Sequence, residues 1–115
     1  MLPRKLRIPR DTLPTMRVGG KRYNAEDFFI VYKPNTLGFV RACVRVPMSI
    51  SKHATVRNRI KRLYHESLRY VLPSIDQSLD VVLVAKTDIS AKKMQEVKPH
   101  VLTAFLDIQR KHIHD

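Results

Sequence analysis

Tryptophan is absent from this 115-residue chain, and cysteine, glycine and acidic residues are scarce. The single cysteine, Cys43, excludes an internal disulfide, and with five histidines it makes no paired-cysteine zinc pattern. The longest pure apolar run, residues 81–85, has five residues, against the ~18 of a membrane-spanning helix. No membrane partner is expected. Residues 1–10 are basic but lack the apolar stretch of a signal peptide. A reducing, cytoplasmic setting is therefore expected, although an organellar transit peptide would also be Arg-rich and acid-poor. The acids, among them Glu66, Asp80 and Asp88, are scattered without a pairing motif. A metal-dependent nuclease needs convergent carboxylates, so catalysis by the chain alone is unsupported and no metal site is expected.

What the chain has in excess is positive charge. Twenty-two Lys and Arg oppose ten Asp and Glu, a formal net charge of +12. Self-repulsion on that scale costs stability, which a polyanionic partner relieves. The charge is concentrated in two blocks. Residues 1–22 hold seven bases (Arg4, Lys5, Arg7, Arg10, Arg17, Lys21, Arg22) and one acid, Asp11; residues 41–70 hold eight bases and one acid, Glu66. Such clustering implies basic faces rather than a general solubilising coat.

Hydrophobic residues make up 43% of the chain, enough for one modest core. Residues 1–115 read as a single α+β domain, with 1–12 a basic arm that is extended or poorly ordered. Asp11 or Thr12 is placed to cap a short helix with Pro14 in its first turn, stopped by Gly19 and Gly20. Residues 28–32 are aromatic and β-branched and predict a strand. Alternation sends Phe29 to one face and Phe28, Ile30 and Tyr32 to the other. Residues 39–46 alternate as well, with Val40, Ala42, Val44 and Val46 facing inward and Arg41, Cys43 and Arg45 outward. Residues 52–72 predict a helix capped by Ser49 or Ser51, its apolar stripe formed by Val56, Ile60, Leu63, Tyr64, Ser67 and Val71. Residues 81–84 predict a strand buried on both faces. Residues 90–112 predict a last helix capped by Ser90, with Met94, Val97, Val101, Leu102, Phe105 and Ile108 at helical spacing. Pro99 breaks or kinks that helix, unless the helix begins there. A small sheet covered by helices on one side fits this order.

The densest chemical signal is Arg57-Asn58-Arg59-Ile60-Lys61-Arg62. Arginine forks match phosphate oxygens at two points and lysine adds a point charge. With only Glu66 nearby, ion pairs within the helix do not neutralise the cluster, so a polyanion-binding face outweighs a solvated one. Asn58 can serve a base edge, a phosphate or a ribose oxygen. Flanking strands exclude a helix-turn-helix reading. Phe28, Phe29 and Tyr32 are candidates for base stacking, with core packing as the commoner fate. Asp80, at a strand start, reads as a turn or capping residue, His65 as a surface histidine, His112 and His114 as part of a frayed tail, and Cys43 as a small strand residue.

The run Arg57-Asn58-Arg59-Ile60-Lys61-Arg62-Leu63, followed by His65-Glu66, closely resembles the signature of the bacterial ribonuclease P protein subunit. Arg41-Ala42-Cys43-Val44-Arg45-Val46 resembles the family's strand before its signature helix, and Asp80-Val81-Val82-Leu83-Val84-Ala85-Lys86 the strand after it. The resemblance spans residues 5–108. It implies a four-stranded sheet packed by helices, like the second domain of ribosomal protein S5, with a left-handed βαβ crossover that departs from the usual hand. It also implies a job: binding a large catalytic RNA and helping it remove the 5′ leader of precursor tRNA by hydrolysing one phosphodiester bond. The active site and Mg2+ then belong mainly to the RNA, with no catalytic residue in the protein and no obligate protein partner. Matched residue by residue, Arg57, Asn58, Arg59, Lys61 and Arg62 inherit RNA contact, with Arg41, Lys52 and Lys86 as further basic candidates. The leader cleft falls on Leu13, Arg17, Phe29, Val31 and Tyr32. Leu13 and Arg17 stand at two aromatic positions of the family's first helix, where Arg17 offers a phosphate contact instead. The family's strand aromatic aligns nearest Val31. His65 replaces an arginine, and the loop 47–53 is one residue longer than the family pattern. The alternative reading is a non-catalytic structural RNA-binding protein of the ribosomal-protein type. A stand-alone nuclease is the third and would need an acidic metal site.

Overall fold

The computed structural model describes residues 2–9 and 20–114, with side chains to Lys111. The helix expected before Gly19, with Leu13 and Arg17, lies outside the described residues, as do the side chains of His112 and His114. The order is β1 (Lys21–Asn24), β2 (Phe28–Pro34), β3 (Arg41–Arg45), α1 (Ala54–Val71), β4 (Leu79–Ala85) and α2 (Met94–His114). The strands form one mixed sheet in the order β1-β2-β4-β3, in which β1 and β2, and β2 and β4, pair antiparallel and β3 and β4 pair parallel. Helix α1 is the connection between those two, as parallel neighbours require.

Alternation decides which side chains face the helices. Phe28, Ile30 and Tyr32 on β2, Ala42 on β3, and Leu79, Val81, Leu83 and Ala85 on β4 are buried against Ile60, Tyr64, Leu68 and Val71 of α1 and Val97, Val101, Phe105 and Ile108 of α2. Phe28 meets Tyr64 edge to face, with ring centroids 5.5 Å apart. Tyr32 is therefore core, at 5% exposure, and drops out of the expected leader cleft. The expected stripe of α1 missed Leu68, which is wholly buried, while Val56 and Leu63 are only partly covered. On α2, Leu102 is exposed instead of packed, and Leu106 is exposed beside it.

Helix starts differ from the expected caps. Neither Ser49 nor Ser51 caps α1; His53 stands at its N-cap, and Ser51 Oγ accepts the His53 N–H at 3.2 Å. Ser90 does not cap α2. Its N–H is held by Asp88 Oδ1 at 2.8 Å in a loop, and the helix starts four residues later. There the Glu96 carboxylate accepts the Lys93 N–H at 2.9 Å, the return half of a capping box. Pro99 neither breaks nor starts α2. It sits inside the helix, in the second turn, where one backbone donor is lost.

The N-terminal segment packs on the sheet rather than trailing from it. A 3-10 turn at Arg4–Leu6 precedes a parallel bridge between Arg7 and Ala42 on the outer edge of β3. Leu2 is buried in the main core, and Ile8 caps Val82 on the opposite sheet face. This covers an edge that would otherwise present unpaired backbone groups. No helix among the described residues is long and apolar enough to cross a membrane.

Candidate nucleic-acid interface

The sheet face away from the helices is not plain solvent surface. An open groove of about 800 Å³ runs over it. Its floor is Phe29 and Val31 of β2 with Val82 and Val84 of β4; its walls are Gly20, Arg22, Arg45, the turn Val46-Pro47-Met48, and Lys61 of α1. Strand alternation explains the floor, because these are the β2 and β4 residues that the core does not take. The expected two-sided burial of β4 is thus only partial: Val82 is covered by Ile8, while Val84 is half-buried.

Helix α1 carries the predicted basic residues. Asn58, Arg59, Lys61 and Arg62 are exposed, and Ile60 between them is fully buried. Arg57 is half-buried, and its Nη1 donates to the Ser51 carbonyl at 2.8 Å, anchoring the loop that enters α1. Arg59 Nε donates to the Ser90 carbonyl, tying α1 to the loop after β4, where Lys86 is exposed. Lys52 is exposed in the loop before α1. Lys61 belongs to both features: it lies on the cationic face of α1 and also lines the groove. The helix face and the groove are one continuous surface through that side chain.

Arg41, one of the predicted basic residues, is engaged within the sheet. Arg41 gives Nε to Asp80 Oδ1 at 2.9 Å and Nη2 to Asp80 Oδ2 at 2.7 Å. Its side chain is 18% exposed and that of Asp80 8%, so the pair holds the sheet together. Asp80 is not a simple turn or cap residue. Burial pushes its carboxyl up, but the hydrogen bonds from Arg41 and Asn35 outweigh this and leave it below the usual carboxylate range. His65 is half-buried rather than a surface residue, with Nδ1 enclosed and without a partner. Burial, with Lys61 and Arg7 nearby, lowers its pKa, so its basic surroundings act as expected. Burial also raises the Cys43 thiol. No group of three or more His, Cys, Asp or Glu that could hold a metal ion occurs among the described residues.

Sequence reasoning passed over Arg22 as a site residue. β1 reads Lys-Arg-Tyr-Asn, with no hydrophobic alternation to announce a strand. Pairing with β2 sets Arg22 opposite Val31 and Asn24 opposite Phe29 on the groove face. Tyr23 points the other way, donating its hydroxyl to Asp107 of α2 at 2.7 Å.

The family model described as Ribonuclease P matches residues 4–109. The chain is 36% identical over 99 residues to the ribonuclease P protein component of Caldanaerobacter subterraneus, covering 84% of each chain. It is 32% identical over 108 residues to that of Bacillus cereus, covering 90% of this chain and 91% of the relative. Among solved structures, the Staphylococcus aureus RNase P protein superposes with a TM-score of 0.74 at 19% identity, covering 90% of this chain and 94% of that one. The Thermotoga maritima RNase P protein gives 0.72 at 24% identity, covering 84% and 92%. At these identities the structures bear on the fold alone.

Proposed function

The chain belongs to the ribonuclease P protein family, and on that premise we propose that it is the protein subunit of a cytoplasmic ribonucleoprotein that removes the 5′ leader of precursor tRNA. The catalytic RNA docks on the cationic face of α1, where Asn58, Arg59, Lys61 and Arg62 meet phosphates and sugar oxygens. The leader, a single strand, lies in the groove over Phe29 and Val31. The RNA supplies the active site and holds the magnesium ions that hydrolysis of the phosphodiester requires. The protein adds affinity for the substrate and lets the RNA work at lower magnesium concentration.

The observation that carries this reading is the place of Lys61. One side chain on the signature run also lines the groove, so an RNA bound along α1 continues into it without leaving the positive surface. The test is cleavage of a precursor tRNA by the cognate catalytic RNA at low magnesium, with and without the protein. Rescue of accurate 5′ cleavage is expected. Tight RNA binding without rescue would favour a structural RNA-binding protein instead, and cleavage by RNA-free protein would overturn the assignment of catalysis to the RNA.

A further inference from the structure

At one end of the groove, Arg22 and Asn24 make an arrangement around Phe29 in which the proposed function gives neither of them a part. The guanidinium carbon of Arg22 stands 3.8 Å from the centroid of the Phe29 ring. Arg22 Nε also donates to Asn24 Oδ1 at 3.1 Å. Asn24 is the register partner of Phe29, so the same cross-strand pair supplies the ring and the acceptor. The guanidinium is thereby held twice, by an edge and by a face.

That double hold bears on what Arg22 offers a ligand. A phosphate is gripped through the N–H edges of a guanidinium, and here the Nε edge is engaged by Asn24. A nucleobase stacks on the plane of a guanidinium as readily as on an aromatic ring. Arg22 is exposed and Phe29 half-buried beneath it, so the layer presented to solvent is the arginine. Cations suited to phosphates stand on the far side, Arg45 on β3 and Lys61 on α1. β1 and β3 are the outer strands of the four, three strand spacings or about 14 Å apart.

We propose that Arg22 and Phe29 form a two-layer stacking platform for one unpaired nucleobase, with Arg22 as the outer layer and Asn24 as the residue that orients it. In the setting of the proposed function, on which this inference rests, the base is one of the leader's, and the strand then runs across the groove toward Arg45 and Lys61. Arg22 is then a determinant of how the leader is registered, contributing through its plane as well as its charge.

The experiment is an abasic scan. Precursor tRNAs carrying a single abasic nucleotide at successive leader positions are bound to the assembled ribonucleoprotein, and their affinities are compared with the intact substrate. With the unaltered protein, one position is expected to lose about 5- to 150-fold in affinity, the range of a base stacked on an aromatic group. In Arg22→Ala and Phe29→Leu proteins, that loss should shrink toward none. Arg22→Lys should behave like Arg22→Ala, because an ammonium has no plane. Thermal melting of each protein checks that the fold is kept, and Asn24→Ala, which leaves both layers in place, should give an intermediate loss.

A flat scan with the unaltered protein would overturn the platform. So would an Arg22→Ala protein that weakens intact and abasic leaders equally, the result of a phosphate contact. Protein-dependent cleavage at low magnesium is measured on the same samples. Its presence alongside a flat scan removes the platform and leaves the function standing. Its absence removes the function, and the scan is then read on a free single-stranded RNA of the leader sequence, where the same losses sustain the platform and a flat result overturns it.

Discussion

Arg41 and Asp80 are register partners on the parallel strands β3 and β4, and their side chains close a two-point ion pair on the groove face of the sheet, at the end remote from the groove. Asn35 adds a third hydrogen bond to the carboxylate, Nδ2 to Oδ1 at 2.8 Å, and also reaches the Phe39 carbonyl at 3.2 Å. The turn between β2 and β3 is thus fastened to the start of β4. Gly38, with φ of +84°, gives that turn its left-handed residue. An Asp80→Asn protein keeps the shape of the side chain but takes the carboxylate charge away from a largely buried guanidinium. The expected loss is about 2–4 kcal/mol, near the range for breaking a buried pair, read as a lower urea midpoint with unchanged slope. A change under about 0.5 kcal/mol, as at ordinary surface positions, would show that the pair holds nothing.

The same carboxylate sets part of the acid limit, together with Asp27. Asp27 accepts Lys92 Nζ at 2.9 Å and Thr87 Oγ1 at 2.8 Å. Its burial acts upward, but the Lys92 and Thr87 hydrogen bonds outweigh it, and its pKa is lowered like that of Asp80. A carboxyl held below its unfolded value, about 3.9, stabilises the fold fully above that value. The contribution is lost as pH falls through the lower folded value. The carboxylates' contribution to the melting temperature should therefore be level from neutral pH to about pH 5 and then fall. The fall should be shallower in Asp80→Asn, whose starting stability is already lower. An unchanged acid slope in that variant would assign the acid limit to other groups.

Much of this architecture was legible because three patterns were strong. The alternation at residues 40–46 placed Val40, Ala42, Val44 and Val46 inward; the first three are buried, while Val46 is partly covered and lines the groove. The same rule separated Phe29 from Phe28, Ile30 and Tyr32. The basic helix lacks Pro and Gly and runs as expected to within two residues. What escaped notice had no local signal. β1 is four mostly polar residues that become a strand only by pairing with β2. Arg41 and Asp80 are 39 residues apart, so charge alone could not reveal them as partners, and Arg41 read as one more RNA contact. Tyr32 reads as a cleft residue by its nearness to Val31 in sequence, although period-two geometry already sends it to the opposite face. Helix caps failed where a hydroxyl was present but helical geometry began later, at His53 and Lys93.

The residues of α1 divide by what they hold in the free protein. Lys61→Ala and Arg62→Ala remove exposed cations, so each should change stability by less than about 0.5 kcal/mol while weakening RNA binding. Removing one cation that meets a phosphate should lower the slope of log affinity against log salt by about one. For the unaltered protein, roughly 6–10 neutralised phosphates correspond to a fall of about 10³–10⁵ between 50 and 200 mM salt. Arg57→Ala should differ, because it also releases the Ser51 carbonyl, costing about 1 kcal/mol of stability. Equal losses of stability in all three variants, or a salt slope that none of them alters, would count against this division.

His65 reports on the same surface from beneath. Its ring is half-buried, its Nδ1 is enclosed without a partner, and Lys61 and Arg7 stand close enough to oppose its protonation, with Glu66 acting weakly the other way. Burial and the two cations both favour the neutral ring, so its titration midpoint should lie below the ordinary value of about 6.5. Because the folded value is the lower one, the ring contributes stability above the unfolded value and loses it as pH falls. The measurement is the chemical shift of the His65 ring protons against pH. Lys61→Ala should raise the midpoint, since one opposing charge is gone. Bound RNA should raise it further, because phosphates drawn to Lys61 offset the same positive field that keeps the ring neutral. A midpoint at or above the ordinary value in the free protein would mean that the ring is solvated. A midpoint that is low but does not respond to RNA would place the bound phosphates away from Lys61, and with them the junction between the helix face and the groove.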